Sequence, residues 1–231
     1  MKIRIVPEIV ELKILYELEE PIPKGDLIEM LKDAGFEEFT EPEKIVIPGI
    51  GPLKRVSIAK KGNCVINYDK NVGSISVSGN DFENVYLTFR EIKKIFEEKN
   101  LLDEVKKFEF HTRVKVQIGE KPESMLKIIA KAFGGQYLPE SKMNRLNELF
   151  VTELQPFCIR LYPKSYENFI GDLRRKDDWI DIYMFPYIPN TRYLSVWIVF
   201  RNKQLEKVID FASRVEEKIK EIVKVIADDA E

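Results

Sequence analysis

Two stretches of this chain, one near its start and one near its middle, alternate apolar and polar side chains for ten residues, and few folds accommodate that. Over residues 9–18, Val10, Leu12, Ile14, Tyr16 and Leu18 share one parity; over 109–118, Phe110, Thr112, Val114, Val116 and Ile118 do the same, with Phe108 just ahead. A period of two sends successive side chains to opposite sides of an extended backbone, so each stretch reads as a strand with one buried face. Half-buried strands of this kind belong to antiparallel sheets with helices on one side and water on the other.

A similar succession follows each strand. After the first, Pro21 and Pro23 end the extended run, Asp26 is placed to cap a helix lined by Leu27, Met30, Leu31 and Ala34, and Gly35 stops it. Strands are predicted at 44–47, 54–60, 64–68 and 74–78, separated by turn residues such as Pro48-Gly49 and Gly62-Asn63. Asp81 caps a second helix with Phe82, Val85, Phe89, Ile92 and Phe96 in one stripe. After the second alternating strand, Pro122 opens a helix lined by Met125, Ile128, Ile129, Ala132 and Phe133, closed by Gly134-Gly135. Strands are predicted at 149–154, 157–162, 179–185 and 193–200, a short helix at 166–173, and one long amphipathic helix over 203–226.

The fold class is therefore α+β: two tandem halves, 1–103 and 104–231, each with antiparallel strands backed by helices. This element order resembles that of the TATA-binding-protein fold, in which two such halves join into a saddle. The resemblance is one of topology and implies no function.

Composition excludes several roles. With 37 Lys and Arg against 39 Asp and Glu the formal charge is −2, so any grip on nucleic acid rests on a local patch and not on the whole surface. Residues 1–103 hold 15 basic and 19 acidic residues and 104–231 hold 22 and 20, a difference too small to name a partner. The 33% of charged residues, rich in Lys and Glu, lean towards a heat-adapted source. Cys64 and Cys158 lie far apart and read as two buried free thiols of a cytoplasmic protein. Lys2, Arg4, Pro7, Glu8, Glu11 and Lys13 interrupt the opening residues, so no signal peptide is expected, and no apolar run approaches the ~20 residues of a membrane span.

No catalytic, cofactor-binding or metal-binding residue is assigned. His111, the one histidine, lies on a predicted strand and reads as a surface or packing residue. Two isolated cysteines and one histidine make no structural zinc site. Asp177, Asp178 and Asp181 read as solvated turn residues, and Gly49, Gly51, Gly134 and Gly135 as turn glycines, not phosphate cradles. RNA-processing endonucleases of microbial defence systems also pair two small α+β domains, but they carry a glycine-rich loop near the C-terminus, and this chain has no glycine after Gly171.

One contrast remains. In the first half the outward parity is polar and small: Glu11, Lys13, Glu17, Arg55, Ser57, Ser74, Ser76 and Ser78. In the second half it carries His111, Arg113, Lys115, Arg160, Tyr162, Trp179, Tyr183, Phe185, Tyr193 and Trp197. Six aromatic rings on a solvent-facing sheet are too costly to leave wet without a reason. Four coverings suit such a face: the first half or the 166–173 segment; a homodimer or protein partner; single-stranded nucleic acid; and a small molecule. The sequence alone favours a non-enzymatic interaction protein, with Arg113, Lys115, Arg160, Tyr162, Tyr183, Phe185, Tyr193 and Trp197 as partner-binding residues. A single-stranded nucleic-acid module is the alternative, and an enzyme or small-ligand binder with an unrecognised pocket comes third.

Overall fold

A computed structural model describes residues 2–16, 22–38, 46–47, 51–52, 55–70, 73–119, 124–133, 140–150, 157–167, 169–171 and 176–228. In chain order the elements are β1 (Ile3–Tyr16), α1 (Lys24–Asp33), β2 (Glu37–Glu38), β3 (Val46–Ile47), β4 (Gly51–Pro52), β5 (Arg55–Lys61), β6 (Cys64–Asp69), β7 (Ser74–Gly79) and α2 (Phe82–Glu98). There follow β8 (Val105–Ile118), α3 (Met125–Phe133), α4 (Glu140–Phe150), β9 (Ile159–Leu161), β10 (Trp179–Pro186), β11 (Tyr193–Asn202), α5 (Leu205–Ser213) and α6 (Val215–Asp228). Antiparallel strands backed by helices are what the alternation predicts.

The two halves do not keep separate sheets. β1 and β8, the two alternating strands, pair antiparallel along nearly their whole length, and nine strands join in the order β2-β5-β6-β7-β1-β8-β11-β10-β9. On either side of this seam the order mirrors itself, with β7, β6 and β5 outside β1 and β11, β10 and β9 outside β8. β7 takes one edge of β1 and β11 one edge of β8, and the remaining edge of each long strand is satisfied by the other.

All helices with described contacts serve one face. Val10, Leu12 and Ile14 of β1, Phe110, Val114 and Val116 of β8, and Leu194, Val196 and Ile198 of β11 point to it, and α2, α3, α5 and α6 cover it in one continuous core. Phe110 sits at the seam and touches both halves: its ring meets Phe82 of α2 and Phe211 of α5 edge-on, each at 6.3 Å between centroids. Asp81 caps α2 as predicted, its carboxylate accepting from the Asn84 N–H at 2.9 Å. Asn100, at φ 56°, closes that helix, with the Leu101 N–H reaching back to the Phe96 carbonyl at 2.8 Å.

Several element predictions change. α1 starts at Lys24 after Pro23, so Asp26 sits inside its first turn instead of capping it. Leu149 and Phe150, expected in a strand, form the last turn of α4, whose Lys, Met, Arg, Leu and Glu residues all favour helix; 151–154 lie outside the described residues. The 157–162 strand shrinks to Ile159–Leu161, and the described residues near the expected 166–173 helix show a single 3-10 turn at Lys164–Tyr166, with 168, 172 and 173 outside the described residues. The long terminal helix breaks at Arg214 into α5 and α6, where the Ser213 hydroxyl donates to the Asp210 carbonyl. Pro122 and Gly134-Gly135 lie outside the described residues.

Both cysteines are free, but only Cys64 is buried; Cys158 is exposed, next to the edge strand β9. Burial pushes the Cys64 thiol up, against a lowering hydrogen bond from Thr88, so its thiolate is scarce. A thiol reagent added to the native protein should consume one equivalent, at Cys158, and two after unfolding. Two rapid equivalents in the native state would contradict this burial.

Candidate functional site

The open face of the sheet is built by the register of the seam. Cross-strand partners share a face, so Arg160, Tyr183, Trp197, Arg113 and Ile9 form one row from β9 through β10, β11 and β8 to β1. Asp181, Val199, His111, Glu11 and Ser78 form the next, and Trp179, Arg201, Glu109, Lys13 and Ser76 the third. On the other side of the first row lie Phe185, Ser195 and Lys115. All the residues assigned above to the outward parity of the second half that lie on β8, β10 and β11 take this face, opposite the helices.

The aromatic residues divide into two groups. Trp197 is 43% exposed; its ring stands edge-on to Tyr183 at 6.4 Å and to Phe185 at 6.2 Å, with the Arg113 guanidinium 5.2 Å from its centre. Lys115 lies over Tyr187, which meets Tyr193 edge-on. Trp179 is instead buried: Tyr162 stacks on it, Tyr166 leans against it at 5.5 Å, and the Tyr166 hydroxyl donates to the Asp178 carbonyl at 2.6 Å. Tyr162 and Tyr166, between β9 and β10, thus cover the Trp179 end, while Trp197 stays open among the described residues.

The cations of the face are paired. Arg160 makes a two-pronged bond to Asp181, Nε at 3.0 Å and Nη2 at 2.7 Å. Arg113 and Lys115 both reach Glu8, at 2.8 Å and 2.7 Å. Asp177, with Asp181 expected to be solvated, lies by Lys107 and Lys203.

Sequence reasoning missed the centre of the face. Glu109, 3% exposed, accepts from His111 Nε2 at 2.6 Å, Arg201 Nε at 2.6 Å and Lys13 Nζ at 3.3 Å. Glu11, equally buried, lies 3.7 Å from His111 Nδ1. His111 is therefore held between two carboxylates and is not a casual surface residue. Burial alone would push the Glu109 carboxyl up, but the His111 hydrogen bond and charge, then Lys13 and Arg201, hold it well below the usual carboxylate range. A depressed carboxyl contributes stability above its ordinary value and loses it as pH falls towards the folded value. Acid titration of stability should therefore show a decline setting in near the ordinary carboxyl value of 4.5 that is flatter in Glu109→Gln; identical profiles would contradict the assignment.

Beside this cluster the face opens into a hollow of about 910 Å³, lined by Trp197, Arg113, Ile9, Val65 and Val199 with Glu11, His111 and Ser78 among its polar groups. The polar run Lys107, Glu109, His111, Arg113 and Lys115 along β8 is visible in the sequence; Glu8, Ile9 and Glu11 join it only through the β1–β8 register.

No protein-family model matches the chain, and no curated protein matches it in sequence. Among solved structures it is similar to the TBP of Methanococcus jannaschii, at 16% identity over 99% of each chain with a TM-score of 0.32. A likeness of that degree carries no conclusion about fold or function.

Proposed function

We propose that this is a non-enzymatic interaction protein that holds a protein partner, or a second copy of itself, on the open face of its second half. The observation carrying this reading is Trp197, a large ring left 43% exposed at the rim of a hollow and fixed by Tyr183, Phe185 and Arg113. Pre-positioned Trp, Tyr and Arg side chains lose little freedom on binding and are the residues in which interface energy concentrates. Arg113, Tyr183 and Phe185 pack against that anchor, and Lys115, Arg160, Tyr162 and Tyr193 complete the partner-binding set on the same face. A cytoplasmic setting suits the free, exposed Cys158.

Single-stranded nucleic acid would use the same rings for stacking, but it also needs cations free for phosphate. Arg113, Lys115 and Arg160 each already face a carboxylate, which favours a protein. Titration with a labelled single-stranded oligonucleotide tests this choice. Little saturable binding is expected at about 150 mM salt; tight binding that weakens steeply as salt rises would favour nucleic acid instead.

A further inference from the structure

The hollow spans the β1–β8 seam, and several of its polar side chains are turned to the protein itself. The Ser78 hydroxyl donates to the Val65 carbonyl at 3.4 Å and accepts from Asn67 Nδ2 at 2.9 Å, and the Thr112 hydroxyl donates to the Ile9 carbonyl at 3.0 Å. Arg113 lies on Glu8, which Lys115 also reaches. His111 and Glu11 are placed differently. The Glu109 carboxylate, held ionised, can only accept, so Nε2 of His111 carries the ring hydrogen that meets it. Nδ1 of the neutral ring is then an acceptor, 3.7 Å from Glu11 Oε2. Two acceptors do not bond to each other, and a carboxylate takes several donors at once. His111 keeps 31% of its side chain exposed, so a molecule in the hollow reaches the pair from the ring side.

The walls at Ile9, Val65, Val199 and Trp197 are apolar, and at about 910 Å³ the hollow has the size of pockets that enclose small organic molecules. We infer that it binds a small organic ammonium ion, with an apolar body against these walls and the ammonium group directed at Glu11 and His111 Nδ1. An ammonium brings three donors and no acceptor, so it serves both groups at once; a hydroxyl has one hydrogen and serves one of them. Its charge meets a carboxylate that is only 3% exposed and little screened by water, and the face of the Trp197 ring attracts cations as well. Arg113 does not oppose it, because Glu8 answers the guanidinium charge at 2.8 Å. A carboxylate ligand would instead bring only acceptors to Glu11 and the ring nitrogen. The site shares Trp197 with the partner surface proposed above and does not depend on it.

Three probes of nearly one shape test this on the full chain at neutral pH: phenethylammonium, phenethyl alcohol and phenylacetate. Binding is read from the indole N–H resonance of Trp197, assigned by its loss in Trp197→Phe. The ammonium should shift that resonance with a Kd of about 1 mM, the affinity expected of so small a ligand. The alcohol should bind about 10-fold more weakly, for want of the charge-assisted bond, and phenylacetate should give no shift. Glu11→Gln should remove the advantage of the ammonium over the alcohol, with a thermal melt to establish that the variant is folded. If it is not, the order of the three probes on the wild type decides alone. Equal binding of all three, tightest binding of phenylacetate, no shift by the ammonium up to about 20 mM, or a folded Glu11→Gln that keeps the order would each overturn the inference. None of these results bears on the protein-binding reading, which cross-linking from the open face tests separately.

Discussion

Glu109→Gln is expected to destabilise the protein by about 3–5 kcal/mol, the usual cost of removing one partner from a buried ionic group. Glu109 is nearly inaccessible at the centre of the seam, and Arg201 and Lys13 both direct their charge at it. Glutamine keeps the size and one acceptor but withdraws the charge that faces Arg201, itself only 7% exposed. Lys107, just beyond on the same strand, loses support as well: burial, then the Arg201 charge, already pull its ammonium down, and Glu109 is among the charges that hold it up. The check is urea or guanidinium unfolding, where the midpoint should fall with the slope unchanged. A loss below about 1 kcal/mol would mean that the cluster is solvated and behaves as a surface ion pair.

The second large effect is on binding. Trp197→Ala should weaken association by about 2–4 kcal/mol, a factor of roughly 30 to 1,000, while lowering stability by only about 1 kcal/mol. The asymmetry follows from where the ring stands. It packs against Tyr183, Phe185 and Arg113 on the face itself and is 43% exposed among the described residues. A ring sealed between halves would instead cost about 3–5 kcal/mol of stability on truncation. Calorimetric melting and sedimentation of the one variant separate these outcomes.

What was legible in the sequence is what periodicity encodes. Alternation along β1 and β8 specified strands and faces, because a slip of one residue would expose Val10, Leu12, Val114 and Val116. The face of Trp197, Tyr183 and Arg113 followed from the same parity. The seam was not legible: nothing local in Ile3–Tyr16 or Val105–Ile118 says which long strand pairs with which, and non-local pairing is decided by the whole chain. The ionic cluster was hidden for the same reason, since Glu11 and Lys13 meet His111 and Glu109 only across that pairing. Weak periodicity misled at Leu149 and Phe150, where a few alternating residues suggested the start of a strand although helix formers precede Leu149.

The most direct test of the open face as a protein-binding surface is photo-cross-linking from Tyr162, which is 55% exposed and stacked beside Trp179. A benzoylphenylalanine there reports on whatever covers the face without removing the Trp197 anchor, and the same probe at Leu87, exposed on α2 across the sheet, serves as the control. In cells expressing the protein, the Tyr162 probe should give a discrete protein adduct, of twice the chain mass if the partner is a second copy, and Trp197→Ala should abolish it. An adduct that forms equally well with alanine at position 197, one seen equally from Leu87, or one that disappears on nuclease treatment would contradict the account.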